Sequence, residues 1–155
     1  MKNVLRLLFV AVLLCAHTLQ AKEIAVLMPV VGPLTPFEQA ALSKDAATVF
    51  SARFDLRYGE EVDRFVKQVF QEESKKKDCD EASCYRRIAA KYQADKIVAL
   101  RVIQVEKERY LATAHLYDVA GGDMLASEQQ ECMHCSFERL KQLCHELTLR
   151  VAGNK

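Results

Sequence analysis

The chain has 155 residues, with 22 basic side chains against 21 acidic ones, so its formal charge is only +1. That balance gives no electrostatic case for binding nucleic acid or an anionic membrane surface. The length suits one domain with its own core.

The N-terminus has the form of an export leader. Lys2 and Arg6 supply a positive start, and Leu7–Leu14 is an uninterrupted apolar run. Such a run is too short for a permanent membrane anchor and long enough for a signal peptide. The expected division is a signal peptide over 1–21 and a single disulfide-stapled α/β domain over 22–155. The leader carries two of the 22 basic residues and no acidic one, so its removal leaves 134 residues with a charge of −1. Lipoprotein anchoring at Cys15 is disfavoured, because Leu13 and Leu14 precede it where a small residue is wanted. No second hydrophobic stretch follows. The expected product is therefore soluble, exported, and periplasmic in a bacterium.

Glu23–Val31 (EIAVLMPVV) is nearly continuous apolar sequence, the pattern of a strand buried on both faces. Gly32, Pro33 and Pro36 end it. Phe37–Arg53 is Ala-rich and helical, and Phe54–Tyr58 reads as a short strand closed by Gly59. Val62, Phe65, Val66, Val69 and Phe70 recur at helical spacing and define an amphipathic helix. The charged stretch Glu72–Asp80 is expected to be a loop or a frayed end. Its Lys75-Lys76-Lys77 run sits beside Asp78, Asp80 and Glu81, which makes it a solvated helix end rather than an anion site. Cys84, Ile88, Ala89 and Tyr92 mark one face of the next helix.

Lys96–Val105 (KIVALRVIQV) is apolar on both faces over much of its length and is expected to be a central strand. Arg109–Val119 alternates, with Tyr110, Ala112, Ala114 and Leu116 on one face. Leu111, Thr113, His115 and Tyr117 lie on the other, more polar face. Gly121-Gly122 signals a tight hairpin, and Asp123–Gln129 is the returning strand. Ser136 is placed to cap a last helix whose apolar face is Phe137, Leu140, Leu143, Cys144, Leu147 and Val151. The order is β-α-β-α-α-β-β-β-α. It predicts a mixed β-sheet packed with helices, in the α/β or α+β class.

After the leader, the cysteines form two close pairs, Cys79/Cys84 and Cys132/Cys135, with Cys144 left over. In an exported protein, short-spaced thiols normally become disulfides. Local pairs would bridge the loop before the third helix and the junction between the last strand and the last helix. Cross-pairing between the two loops is equally allowed. Two other readings stay open. Cys132-Met-His-Cys135 at a strand-to-helix junction is compatible with a thiol-disulfide oxidoreductase. The four paired cysteines, with His134 or His145 as substitutes, are compatible with a Cys-ligated zinc site. Against the first, all three prolines precede the motif, whereas thioredoxin-like enzymes place a cis-proline after it. Against the second, an oxidising compartment disfavours free thiolates. Haem attachment would need His after Cys135, where Ser136 stands. Cys144, on the apolar face of its helix, is expected to be a buried free thiol.

His115 is expected at the surface, and turn chemistry accounts for Asp118 and Asp123. No nucleophile elbow, zinc-protease, phosphate-loop or dinucleotide motif occurs. No catalytic residue, metal or cofactor is therefore expected.

Several segments resemble a family of exported envelope proteins, that of the TolB amino-terminal domain and the related curli-secretion (CsgG-like) domains. They are the opening strand AVLMPV with its following helix, strand and helix, then Cys79-Asp-Glu-Ala-Ser-Cys84. Tyr92-Gln-Ala-Asp95-Lys-Ile-Val is similar to the family's entry into its central strand. Leu116-Tyr-Asp118-Val-Ala-Gly121-Gly122-Asp-Met-Leu-Ala-Ser is similar to its hairpin. The match spans nearly all of the chain after the leader. Tyr92-Gln93 and Ala120-Gly121 depart from the usual residues, and no long insertion of the pore-forming kind is present. The resemblance implies a non-enzymatic accessory or scaffold subunit, with a protein of an envelope complex as partner and a homo-oligomer left open. The expected contact surfaces are a sheet edge and the hairpin face Leu111, Thr113, His115 and Tyr117.

Overall fold

The structure is a computed structural model that describes residues 21–75 and 80–153. The predicted leader with Cys15, and Cys79 with its expected pairing, lie outside the described residues. The elements follow the predicted order. They are β1 (Ile24–Leu27), α1 (Pro36–Ser51), β2 (Asp55–Arg57), α2 (Glu60–Glu73), α3 (Glu81–Tyr92), β3 (Lys96–Glu106), β4 (Arg109–Asp118), β5 (Met124–Met133) and α4 (Phe137–Gly153).

The five strands form one mixed sheet in the order β2-β1-β3-β4-β5. β1 pairs in parallel with both β2 and β3, while β3, β4 and β5 form an antiparallel meander. The short β1 is positioned by Asp95. Its carboxylate accepts from the Ile24 amide at 3.0 Å, and its own amide donates to the Ile24 carbonyl at 2.8 Å. A residue that begins the central strand thus fixes the register of the first one. After β1 the chain stays close to β3, where the Val102 amide donates to the Val31 carbonyl at 2.7 Å. Gly32 permits this approach, because a Cβ there would lie 2.6 Å from the Val102 carbonyl oxygen.

Period-two alternation along the strands splits the interior into two cores. On one face, α1 and α4 bury Ala25, Leu27, Val98, Leu100, Val102, Ala112, Ala114 and Leu116. On the other, α2 and α3 bury Val26, Met28 and Ile97 against Val66, Val69, Cys84 and Ile88. Three of the four helix starts carry the capping signal their sequence encodes. Thr35 and Glu38 form a reciprocal capping box at α1, Asp80 accepts from the Ala82 amide at α3, and Ser136 accepts from the Arg139 amide at α4.

Three boundaries differ from expectation. The tight Gly-Gly hairpin is a wider loop over 119–123. The Asp118 carboxylate accepts from the Gly121 amide at 2.6 Å, and the Asp118 amide donates to the Asp123 carbonyl at 2.8 Å, so the turn is organised around Asp118. β5 continues past Gln129 to Met133, because β4 offers it pairing as far as Arg109. The helix α2 reaches Glu73, whose buried carboxylate lies 3.7 Å from the Arg87 guanidinium.

Candidate functional site

The two faces of the sheet are not covered equally. The helices α2 and α3 lie over β1 and the first half of β3, and reach β4 only at Tyr117. Beyond them, toward the β3–β4 turn, the meander carries exposed side chains on this side. The register places Ile103 beside Leu111, and Leu111 beside Glu131, with Arg109 beside Met133 in the next row. Ile103 and Met133 are 45% and 58% exposed, and Val105, at the bulge of β3, is 46% exposed. The second half of the apolar segment Lys96–Val105 is thus open to solvent on this face, although β3 is the middle strand. Only its first half is covered on both faces.

The four hairpin residues predicted as a contact face share this side of β4 but divide into two environments. Leu111 is half-buried and borders the bare patch. Thr113 is buried. Tyr117 packs under α3, its ring 5.0 Å from that of Tyr85. His115 lies between them, 5.9 Å from the Tyr117 ring. It is half-buried rather than a surface histidine, and its enclosed Nδ1 has no hydrogen-bond partner among the described residues.

At the border between covered and bare sheet stands a polar cluster. The Tyr85 hydroxyl donates to Glu81 at 2.7 Å, and the Arg101 guanidinium lies 3.5 Å from the same carboxylate. Burial, followed by the Glu81 carboxylate, pushes the Tyr85 hydroxyl far above its ordinary range. Burial likewise raises Tyr117. Burial, then the charge of Arg101, lowers the His115 imidazole, which is therefore neutral at pH 7. Ser127 stands opposite His115 in the ladder, yet no hydrogen bond joins them, so this histidine has no activated nucleophile beside it. The cluster joins α3 to β3 and β4 and supplies a half-polar border to an apolar patch. That is the makeup of a contact surface.

Cys132 and Cys135 are joined as a disulfide with Cα atoms 5.5 Å apart, at the predicted junction of β5 and α4. Cys132 is 4% exposed and packs in the α1/α4 core with Cys135 against it. Its sulfur is poorly placed for the attack that thiol-disulfide exchange requires. His134, between them, takes the left-handed conformation at φ 50° and is exposed. Cys84 is buried in the α2/α3 core. Cys144 is a free, buried thiol pushed up to about 12, first by burial and then by the charge of Asp45. Among the described residues, no three His, Cys, Asp or Glu side chains group closely enough to hold a metal ion. No helix among them is long and apolar enough to cross a membrane.

Sequence reasoning did not single out Arg101, Ile103, Val105, Met133, Glu81 or Tyr85. Ile103 and Val105 were hidden inside a segment whose uniform apolarity masks where helical cover stops.

Comparison with known proteins gives a fold. Neither a family model nor a curated relative matches the chain. Among solved structures, the hypothetical protein CT253 from Chlamydia trachomatis is similar over 86% of this chain and 98% of that one, with 14% identity and a TM-score of 0.52. The LpoB C-terminal domain from Salmonella enterica aligns over 80% of this chain and 92% of its own, with 15% identity and a TM-score of 0.49. TolB from Acinetobacter baumannii aligns over 86% of this chain and 29% of its own, with 13% identity and a TM-score of 0.46. At such identities the likeness is one of architecture, an α+β mixed sheet with helices on both faces.

Proposed function

We propose that the protein is a non-enzymatic periplasmic accessory or scaffold subunit of a bacterial envelope assembly, of the TolB/CsgG-like kind, and that it binds a protein partner through the bare half of its sheet. The observation that carries this reading is the exposure of Ile103, Val105 and Met133 around a half-buried Leu111, on a strand face where the other half is helix-covered. Contiguous exposed apolar side chains on a strand face mark interaction sites more often than solvent-facing surface. The leader-like N-terminus and the disulfide support export, and the envelope fold neighbours are compatible with it.

The test is site-specific photo-crosslinking in cells, with the crosslinker placed at Ile103 or Leu111 and, as a control, at Lys44 on α1. A discrete adduct from the sheet positions alone, the one at Ile103 abolished by Leu111→Asp with the fold retained, is the expected result. Equal labelling from Lys44, or no adduct at either sheet position, rejects this surface.

A further inference from the structure

The carboxyl end of β1 opens into a cleft of about 530 Å³ that shares Glu81, Tyr85 and Arg101 with the border of the contact surface but none of Ile103, Leu111 or Met133. Its position follows from the topology. The connection leaving β1 goes to α1 on one face, and the connection leaving β2 goes to α2 on the other. The two connections diverge, and the end of β1 stays open on the α2/α3 side. In open sheets with parallel strands, divergence at strand carboxyl ends is where small ligands bind. The volume lies within the range of small-molecule sites, and the wall is largely apolar, with Met28, Val66, Phe70 and Ala99 contributing.

Two charged side chains on this wall are unmatched. Asp63 and Lys67 are one helical turn apart on α2 and both line the cleft. Neither side chain makes a hydrogen bond or ion pair among the described residues, although Glu81, Tyr85 and Arg101 opposite them satisfy one another. Asp63 is half-buried, and burial, then the neighbouring Glu60 carboxylate, raises its carboxyl. A carboxylate in that setting gains by meeting a cation. A site with one unmatched anion, one unmatched cation beside it and an apolar wall is complementary to a molecule with the same three parts.

We infer that this cleft binds a small zwitterion carrying an apolar side chain, with its ammonium at Asp63, its carboxylate at Lys67 and its apolar group against Met28, Val66, Phe70 and Ala99. A free apolar α-amino acid and a short apolar peptide share this chemistry. The site is distinct from the bare sheet surface, and either can fail without the other.

The test is a methyl-detected NMR titration of the folded protein, with Met28, Val66 and Ala99 as reporters. The probes are leucine, tri-leucine and N-acetyl-leucine amide, the last keeping the apolar body without either charge. Saturable shifts of these methyls by leucine or tri-leucine are expected, with the blocked compound at least roughly tenfold weaker, as loss of charge-assisted hydrogen bonds implies. Saturation by leucine alone identifies a free amino acid as the source, and saturation by tri-leucine alone identifies a peptide. Asp63→Asn and Lys67→Met are each expected to weaken the zwitterion roughly tenfold and leave the blocked compound unchanged. Absence of shifts at millimolar ligand, equal binding of the blocked compound, or no effect of both substitutions overturns the inference.

Discussion

The two faces of the sheet are built from the same strands and differ in what covers them. On the α1/α4 side, helical cover extends across the meander, and the strand side chains facing it are aliphatic or small: Leu27, Val98, Leu100, Val102, Ala112, Ala114 and Leu116. On the α2/α3 side, cover stops at Tyr117, and the strand positions beyond it mix Arg101, Ile103, Leu111 and Glu131. The first face is a core and contributes stability. The second is half core and half surface, and its exposed half is free to serve recognition, because those side chains hold little of the fold together. Apolar residues of one strand can therefore have opposite roles according to which helix reaches them.

That contrast makes sharp predictions. Leu147→Ala, fully buried between α4 and the sheet, is expected to destabilise by about 3 kcal/mol in urea unfolding. Ile88→Ala in the smaller α2/α3 core should lie in the same range, which would show that the covered half of the second face is equally structural. Cys135→Ser removes a disulfide closing a very short loop and should lower stability by about 2 kcal/mol. Asp95→Ala removes the carboxylate that holds the Ile24 amide and is expected to lower stability by about 1 kcal/mol. Leu111→Ala at the edge of the bare patch should lower stability by no more than about 1 kcal/mol while abolishing the crosslink from Ile103. A stability loss at Leu111 comparable to that at Leu147 would erase the distinction between the two halves.

Two titrations probe the same division. Asp118 is lowered first by its hydrogen bond from Lys96, at 2.7 Å, and then by the Gly121 amide. A depressed carboxylate stabilises the fold above its unfolded value, and that contribution is lost as pH falls through the lower folded one. Asp118→Asn should therefore flatten the acid limb of a stability–pH curve. Cys144 behaves oppositely. Its folded value is raised to about 12, so its contribution is present below the ordinary thiol range and disappears as pH rises from there toward about 12. Alkylation of Cys144 in the native protein at mildly alkaline pH should proceed only at the rate of unfolding. Prompt labelling would show that the α1/α4 core is looser than the structure depicts.

Much of this fold was legible in the sequence because its signals are local. The helical recurrence of Val62, Val66 and Val69 locates α2, the alternation of Ala112, Ala114 and Leu116 selects the inner face of β4, and Ser136 marks the start of α4. The candidate surface was legible only in part. Leu111, Thr113, His115 and Tyr117 do share one face of β4, but alternation specifies a face and says nothing of how far a helix from elsewhere extends over it. Tyr117 is consequently covered by α3, Thr113 is buried although the α2/α3 core stops short of it, and Ile103, from a segment that reads as interior, is bare. The cleft was not legible at all, since Asp63 and Lys67 look like ordinary solvated positions on an amphipathic helix.

The sequence by itself determined the order of elements, the split of each strand into two faces and most of the helix starts, and it left the pairing of Cys132 with Cys135 as one of several allowed connectivities. These depend on the backbone period and on hydrogen bonds between residues close in the chain. Tertiary structure alone decided that Asp95 fixes β1, that Glu81, Tyr85 and Arg101 meet, that one half of the second face is uncovered and that a cleft opens at the end of β1. Each of these is set by where distant segments stop against one another. That is a property of packed lengths and crossing connections, which no local pattern of side chains encodes.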